Sequence, residues 1–142
     1  MLRQHRIIID TNLWISFLIS KQFDFLDNLI ERNKVKLIFS DDLIAEFLEV
    51  IRRPKLSIFF SEEDLNHLLE IIELKAEFIS VTSLVDICRD SNDNFLLALA
   101  KDGDVDYLIT GDKDLLIIKK FDKTDIITIA DYKILIDSKS KA

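Results

Sequence analysis

The chain has 142 residues, 49% of them apolar and 32% charged, a length and balance suited to one folded domain. Its acids outnumber its bases to give −7, with a pI near 4.8, which excludes a general polyanion binder of the histone or coat type; local cations or metal ions would still let it act on nucleic acid. Two glycines, one cysteine and two histidines cannot supply a Walker loop, a dinucleotide fingerprint, a disulfide, a cysteine zinc site or a histidine-built metal centre.

Arg6 to Asp10 is a β-branched run closed by an acid and predicts a strand buried on both faces. Thr11 to Ser20 places Leu13, Trp14, Phe17 and Leu18 at helical spacing, and Phe23 to Asn33 repeats the pattern with Leu26, Leu29 and Ile30. Lys36 to Phe39 predicts a second strand. Ser40 then caps a helix that runs to Arg53 and stops at Pro54. Ser61 caps the next, Glu62 to about Lys75. Phe78 to Val81 predicts a third strand, and Ser91 to Asp102 an apolar helix closed by Gly103. Asp106 to Thr110 is the fourth strand, followed by a turn at Gly111 and a short helix. Asp125 to Ile129 is the fifth, and Ala130 to Ile136 a last helical stretch. The domain is expected over 1–136, with a polar, frayed tail over 137–142. Short apolar strands alternating with helices define an α/β fold, a five-stranded parallel sheet sandwiched between helices. The start of the chain carries no secretory pattern, and Thr11 to Ser20, the longest uncharged run in its first half, is too short to cross a bilayer. The expectation is a reduced, cytoplasmic protein with no membrane partner.

In open parallel sheets ligands bind beyond the carboxyl ends of the strands. Asp10 ends the first strand, Asp112 and Asp114 follow the fourth, and Asp90 and Asp93 open the helix before it. Helical phase sets Glu46 at the edge of the apolar stripe formed by Leu43, Phe47 and Val50, facing the protein body, and Glu49 outside. Asp93 shares a line with Leu97 and Ala100, away from the polar edge of Asn94 and Lys101. Glu49 and Asp102 are therefore the expected silent counterparts of Glu46 and Asp93. Two unit charges 4 Å apart repel by about 4 kcal/mol at an effective dielectric near 20. Four converging acids are tenable mainly around divalent cations, and hard oxygen ligands select Mg²⁺ or Mn²⁺ over Zn²⁺. Such clusters serve phosphoryl chemistry. Singly, each acid also fits a blander role as a salt-bridge partner, cap or turn residue.

Ile7 to Ser16, with Asp10 and Asn12, resembles the opening of the PIN domain (PilT N-terminus) family. So do Ser40 to Arg53 around Glu46, Arg89 to Ala100 around Asp93, and Tyr107 to Leu116 around Asp112; the ordered set spans nearly the whole chain. The resemblance is greatest to the bacterial and archaeal branch of VapC-like toxin components of toxin–antitoxin pairs. It implies a metal-dependent endoribonuclease with Asp10, Glu46, Asp93 and Asp112 as catalytic, metal-binding acids. Asp114 follows as an accessory acid, beside Asp90, and Asn12 and Thr110 as polar neighbours that hold the site. It also implies an RNA substrate, a cognate antitoxin and a homodimer. Arg52, Arg53 and Lys55 at the end of the Glu46 helix are candidates to touch RNA phosphates, or else solvated cations favoured by the helix dipole. Trp14, Phe17 and Leu18 suit a core or a dimer surface. Ile58, Phe59 and Phe60 suit a core or a partner patch. Two alternatives stand beside the nuclease: a non-catalytic PIN-like module that binds RNA or protein, and a receiver-type phosphoacceptor. The last lacks the expected aspartate after the third strand.

Overall fold

The computed structural model describes residues 4–20 and 24–140, the side chains of residues 24–26 and 138–140 excepted. Phe23, the side chain of Leu26 and the final residues 141–142, all part of the elements expected above, lie outside what is described.

β1 (His5–Ile9) leads directly into α1 (Thr11–Ser20), then α2 (Asp24–Glu31), β2 (Val35–Phe39) and α3 (Asp41–Ile51). Ser40 caps α3 by accepting a hydrogen bond from the Leu43 amide, with Asp41 and Asp42 in the first turn where the helix dipole favours acids. Pro54 ends that segment and opens a short α4 (Pro54–Ser57) at its first turn, where its missing N–H costs nothing. Ser61 caps α5 (Glu62–Lys75), which is followed at once by β3 (Ala76–Phe78). After an irregular stretch, a 3₁₀ turn (Ser91–Asp93) precedes α6 (Asn94–Asp102). β4 (Tyr107–Ile109), α7 (Lys113–Leu116), β5 (Lys120–Phe121), β6 (Thr124–Ile127) and α8 (Ile129–Ser140) complete the order.

The strands form one sheet in the order β3-β2-β1-β4-β6-β5. All pairs are parallel except the β5–β6 hairpin, so the sheet has six strands rather than the expected five. The third strand lies earlier than Phe78 to Val81: the Phe39–Phe78 pair ends its ladder, because β2 turns into α3 at Ser40 and leaves no partner strand beyond. Ile79 keeps one bond, from its amide to the Phe39 carbonyl, and Ile79 and Val81 still pack inward. The expected single helix over Ser91 to Asp102 is broken after Asp93, and the last helix continues to Ser140, through the beginning of the expected tail.

Ile7, Ile8, Ile9, Leu37, Ile38, Leu108 and Ile109 fill the centre of the sheet with 2% exposure or less. Trp14, Phe17 and Leu18 belong to this core rather than to a surface, and Trp14 lies against Phe39. Ile58 and Phe59 are exposed, whereas Phe60 packs on the core. Gly103 closes α6 with an ordinary negative φ. Glycine is needed there for close approach, since a Cβ would lie 2.9 Å from both Ile38 Cγ2 and the Leu99 carbonyl oxygen. From β1 the chain winds to β2 and β3 on one side, and β4, β6 and β5 lie on the other. The crevice beyond the carboxyl ends of β1 and β4 is therefore the topological switch point, where such sheets bind ligands.

Candidate metal centre

Asp10 is the first residue past β1 and is 7% exposed. Its backbone stays in the ladder's path, the amide donating to the Ile109 carbonyl, and its carbonyl accepts the first bonds of α1 from Leu13 and Trp14. The side chain is fixed from β4: Thr110, itself 1% exposed, donates its hydroxyl to Asp10 Oδ2 at 2.7 Å. The same Thr110 oxygen accepts the Asp112 amide at 3.0 Å. Asp112 caps α7, its Oδ1 accepting the Asp114 amide at 2.9 Å. One threonine thus joins the acid after β1 to the acid after β4.

Asp93 stands at the N-cap position of α6 with a right-handed helical backbone, and its side chain makes no capping bond. Its Oδ2 is buried without a hydrogen-bond partner. Burial, the close approach of the Asp112 carboxyl, and the charges of Asp112, Asp90 and Asp10 push its pKa up to about 7. Asp90 caps the 3₁₀ turn through the Asn92 amide. Carboxylate oxygens of Asp90, Asp93 and Asp114 lie within 4.8 Å of one another. That trio includes only one of the four principal acids read from the sequence. Asp112 adjoins it through Asp93 and Asp114, and Asp10 through Thr110.

Glu46 is half-buried on α3 and Glu49 is exposed, as helical phase requires. Burial raises the Glu46 pKa, and so does the charge of Asp10. The Thr11 hydroxyl opposes that rise without reaching hydrogen-bond geometry. The Asp10 pKa is likewise raised, first by burial and then by Asp112, against the pull of Thr110. Among the described residues no lysine or arginine forms an ion pair with Asp10, Glu46, Asp90, Asp93, Asp112 or Asp114. Asn12 is exposed on the first turn of α1. Arg52, Arg53 and Lys55 are exposed at the far end of α3 and the start of α4, with Arg53 reaching Glu49 at 3.4 Å.

Two residues outside the acidic set, Cys88 and Asn94, border it, and a third, Asp102, acts elsewhere. Cys88 is buried against the acids, and burial followed by the charges of Asp93, Asp112, Asp114 and Asp90 pushes its thiol up to about 11. It is a neutral wall of the cluster, not a nucleophile. Asn94, read from sequence as a polar edge, is half-buried and accepts the amides of Ile87 and Cys88. Asp102, expected to be silent, accepts the amides of Thr82 and Ser83 and the Ser83 hydroxyl, bonds that hold its pKa below the usual range. It anchors a segment, so it is no neutral control for Asp93. The signal available in sequence was only the amide side chain directly after Asp93; the bonds of Asp102 join residues about twenty apart and leave no local trace.

An all-oxygen donor set, an orphaned buried carboxylate oxygen and acids whose main near charges are one another fit a hard divalent cation. Residues 6–114 match the PIN domain family, and the chain belongs to that family. The fold is similar to that of the PIN domain endonuclease Utp24, with a TM-score of 0.54 and 21% identity over 87% of this chain and 84% of that one. Comparison with curated proteins gives no match. Membership of the family and the acidic cluster support a nuclease-type function. No helix among the described residues is long and apolar enough to cross a membrane.

Proposed function

We propose that this chain is a Mg²⁺- or Mn²⁺-dependent endoribonuclease that hydrolyses RNA phosphodiester bonds, and the toxin component of a toxin–antitoxin pair acting in the cytoplasm. The observation that carries the reading is the meeting of Asp10, Asp93 and Asp112 at the β1/β4 switch point with no ion pair to a lysine or arginine among the described residues. Asp10, Glu46, Asp93 and Asp112, with Asp90 and Asp114 beside them, would hold the metal. Such a cation supplies charge neutralisation at the scissile phosphate and acidifies water. Thr110 keeps the Asp10 carboxylate from rotating away. The rise of Asp93 to about 7 means that cation binding displaces protons near neutral pH, so metal affinity falls as pH falls. Arg52, Arg53 and Lys55, exposed at the far end of α3 and the start of α4, are the cations this reading assigns to flanking phosphates. A homodimer and an antitoxin partner complete the proposal on the strength of the family resemblance.

The test is cleavage of structured and single-stranded RNA by the full chain, with Mg²⁺, Mn²⁺ or excess chelator. Cleavage should require metal and fall about 100-fold or more in Asp112→Asn, because metal assistance is worth several kcal/mol in the transition state. Expression of the wild type should arrest growth of a bacterial host, and Asp112→Asn should not. Cleavage unchanged by chelator, or equal in Asp112→Asn, overturns the proposal.

A further inference from the structure

Beyond Ile79 the chain between β3 and the 3₁₀ turn pairs with no strand among the described residues, yet it is held at two points by a single helix. At the carboxyl end of α6, Asp102 accepts the Thr82 amide at 2.6 Å, the Ser83 amide at 2.8 Å and the Ser83 hydroxyl. At the amino end, Asn94 Oδ1 accepts the Ile87 amide at 3.2 Å and the Cys88 amide at 2.9 Å. Eight helical steps from Asn94 to Asp102 span about 12 Å, and four extended steps from Ser83 to Ile87 about 13 Å. The segment therefore runs antiparallel along α6 and in register with it, two side chains standing in for a neighbouring strand. Along it Val81 and Val85 pack on the core while Thr82 and Leu84 are exposed.

The two clamps differ in what lies beyond them. Past Ser83, held by Asp102, the chain continues into the segment itself. Past Asn94 there is only Arg89 before Asp90, which caps the 3₁₀ turn and joins Asp93 and Asp114. Asn94 is also the first residue of α6 and the neighbour of Asp93 in sequence, so the incoming chain is held one residue from an acid of the cluster.

We infer that Asn94 is a positioning residue of the metal centre, holding the Ile87–Cys88 backbone so that Asp90 reaches Asp93 and Asp114, whereas Asp102 anchors the same segment without acting on the centre. This rests on the metal-dependent reading proposed above. Asn94 is not one of the proposed metal ligands; it acts through Asp90. The amide is suited to the task because it accepts two N–H groups while adding no charge to a site already crowded with carboxylates. Aspartate there would accept the same bonds but raise the repulsion.

The experiment pairs amide hydrogen exchange with Mn²⁺ titration on the full chain, for the wild type, Asn94→Ala, Asp102→Ala, Asp90→Asn and the double variant Asp90→Asn/Asn94→Ala. Asn94→Ala should speed exchange at Ile87 and Cys88 and weaken Mn²⁺ binding about 10-fold or more, the usual cost of losing a group that orients a ligand. Asp102→Ala should speed exchange at Thr82 and Ser83 and leave Mn²⁺ affinity within about 2-fold. In the Asp90→Asn background, Asn94→Ala should add less than about 2-fold, since a residue acting through Asp90 has nothing left to act on. If Asn94→Ala melts below the assay temperature, Asn94→Ser, which keeps a shorter acceptor, is read in the same way. Faster exchange with unchanged Mn²⁺ affinity, or full additivity in the double variant, overturns the positioning role and leaves the metal site standing. A wild type that takes up no Mn²⁺ overturns both.

Discussion

Around the amino ends of the strands, Glu77, Asp104 and Asp106 meet cations; beyond the carboxyl ends, Asp10, Asp93 and Asp112 meet one another. Arg6 donates to both oxygens of Glu77 at 3.1 and 2.8 Å and to the Gly103 carbonyl at 2.8 Å, and Lys123 lies 2.9 Å from Asp104 and 3.6 Å from Asp106. Asp106 also accepts the Arg6 amide. Arg6 accordingly lowers the Glu77 pKa, while burial and acid neighbours raise those of Asp10, Glu46 and Asp93. One end uses its charges to join β1, β3 and the turn after α6. The other keeps like charges together in a setting that a divalent cation would relieve. The same sheet thus separates acids paired with cations from acids gathered with one another.

Breaking the charged end has the largest consequence for activity. Glu46→Gln keeps the shape but removes a charge at the site's edge, and should cut metal-dependent cleavage about 100-fold. Glu49→Gln, on the exposed face of the same helix, should leave it unchanged. Rates measured beside melting curves decide this, and equal activity in the two variants removes Glu46 from the site. The paired end should respond in the opposite sense. Arg6→Met loses the Glu77 and Gly103 bonds from a partly exposed position, at about 1–2 kcal/mol, or roughly 3–6 °C in Tm. Activity of the folded fraction should persist, and a loss of cleavage without a fall in Tm would blur the division between the ends.

The smallest effect is in the pH dependence of metal-free stability. Asp10, Glu46 and Asp93 have folded pKa values above their unfolded ones, so the folded chain binds more protons and becomes less stable as pH rises from the carboxylate range to about 7. Glu77 and Asp102, shifted down, contribute stability that is present above the ordinary carboxylate pKa and lost only as pH falls below it. Between about pH 5.5 and 7.5 the raised group dominates, and Tm should fall by roughly 1–3 °C without metal. Saturating Mg²⁺ should remove that fall. A metal-free Tm that rises through this range contradicts the repulsion assigned to the carboxyl end.

What was legible in sequence follows the range of the interactions. β1, β2, α3 and α5 announce themselves through local runs and caps: Ile7-Ile8-Ile9, Ser40 before Asp41, Ser61 before Glu62. Glu46 could be told from Glu49 because helical phase is a local property. β5 was invisible, since Lys120–Phe121 is two residues with no strand pattern and owes its conformation to pairing with Thr124 and Asp125. The end of β3 depended on where β2 turned away. That Asp93 opens α6 was readable, but the break of the helix after it depended on the 3₁₀ turn capped by Asp90. Thr110 came from the family resemblance, but its double role between Asp10 and Asp112 needed both strands in place. The acids were thus readable as a set, whereas the nearness of Asp90, Asp93 and Asp114 and the clamps on α6 arise only when distant segments meet.

Calorimetric titration of Mn²⁺ into the metal-free chain tests the central claim most directly. At about pH 7 the wild type should bind with release of protons, more weakly at about pH 5.5, and Asp93→Asn should lose at least about 10-fold in affinity while remaining folded. No binding at millimolar Mn²⁺, or equal binding by the wild type and Asp93→Asn, would contradict a metal centre at the carboxyl ends of β1 and β4.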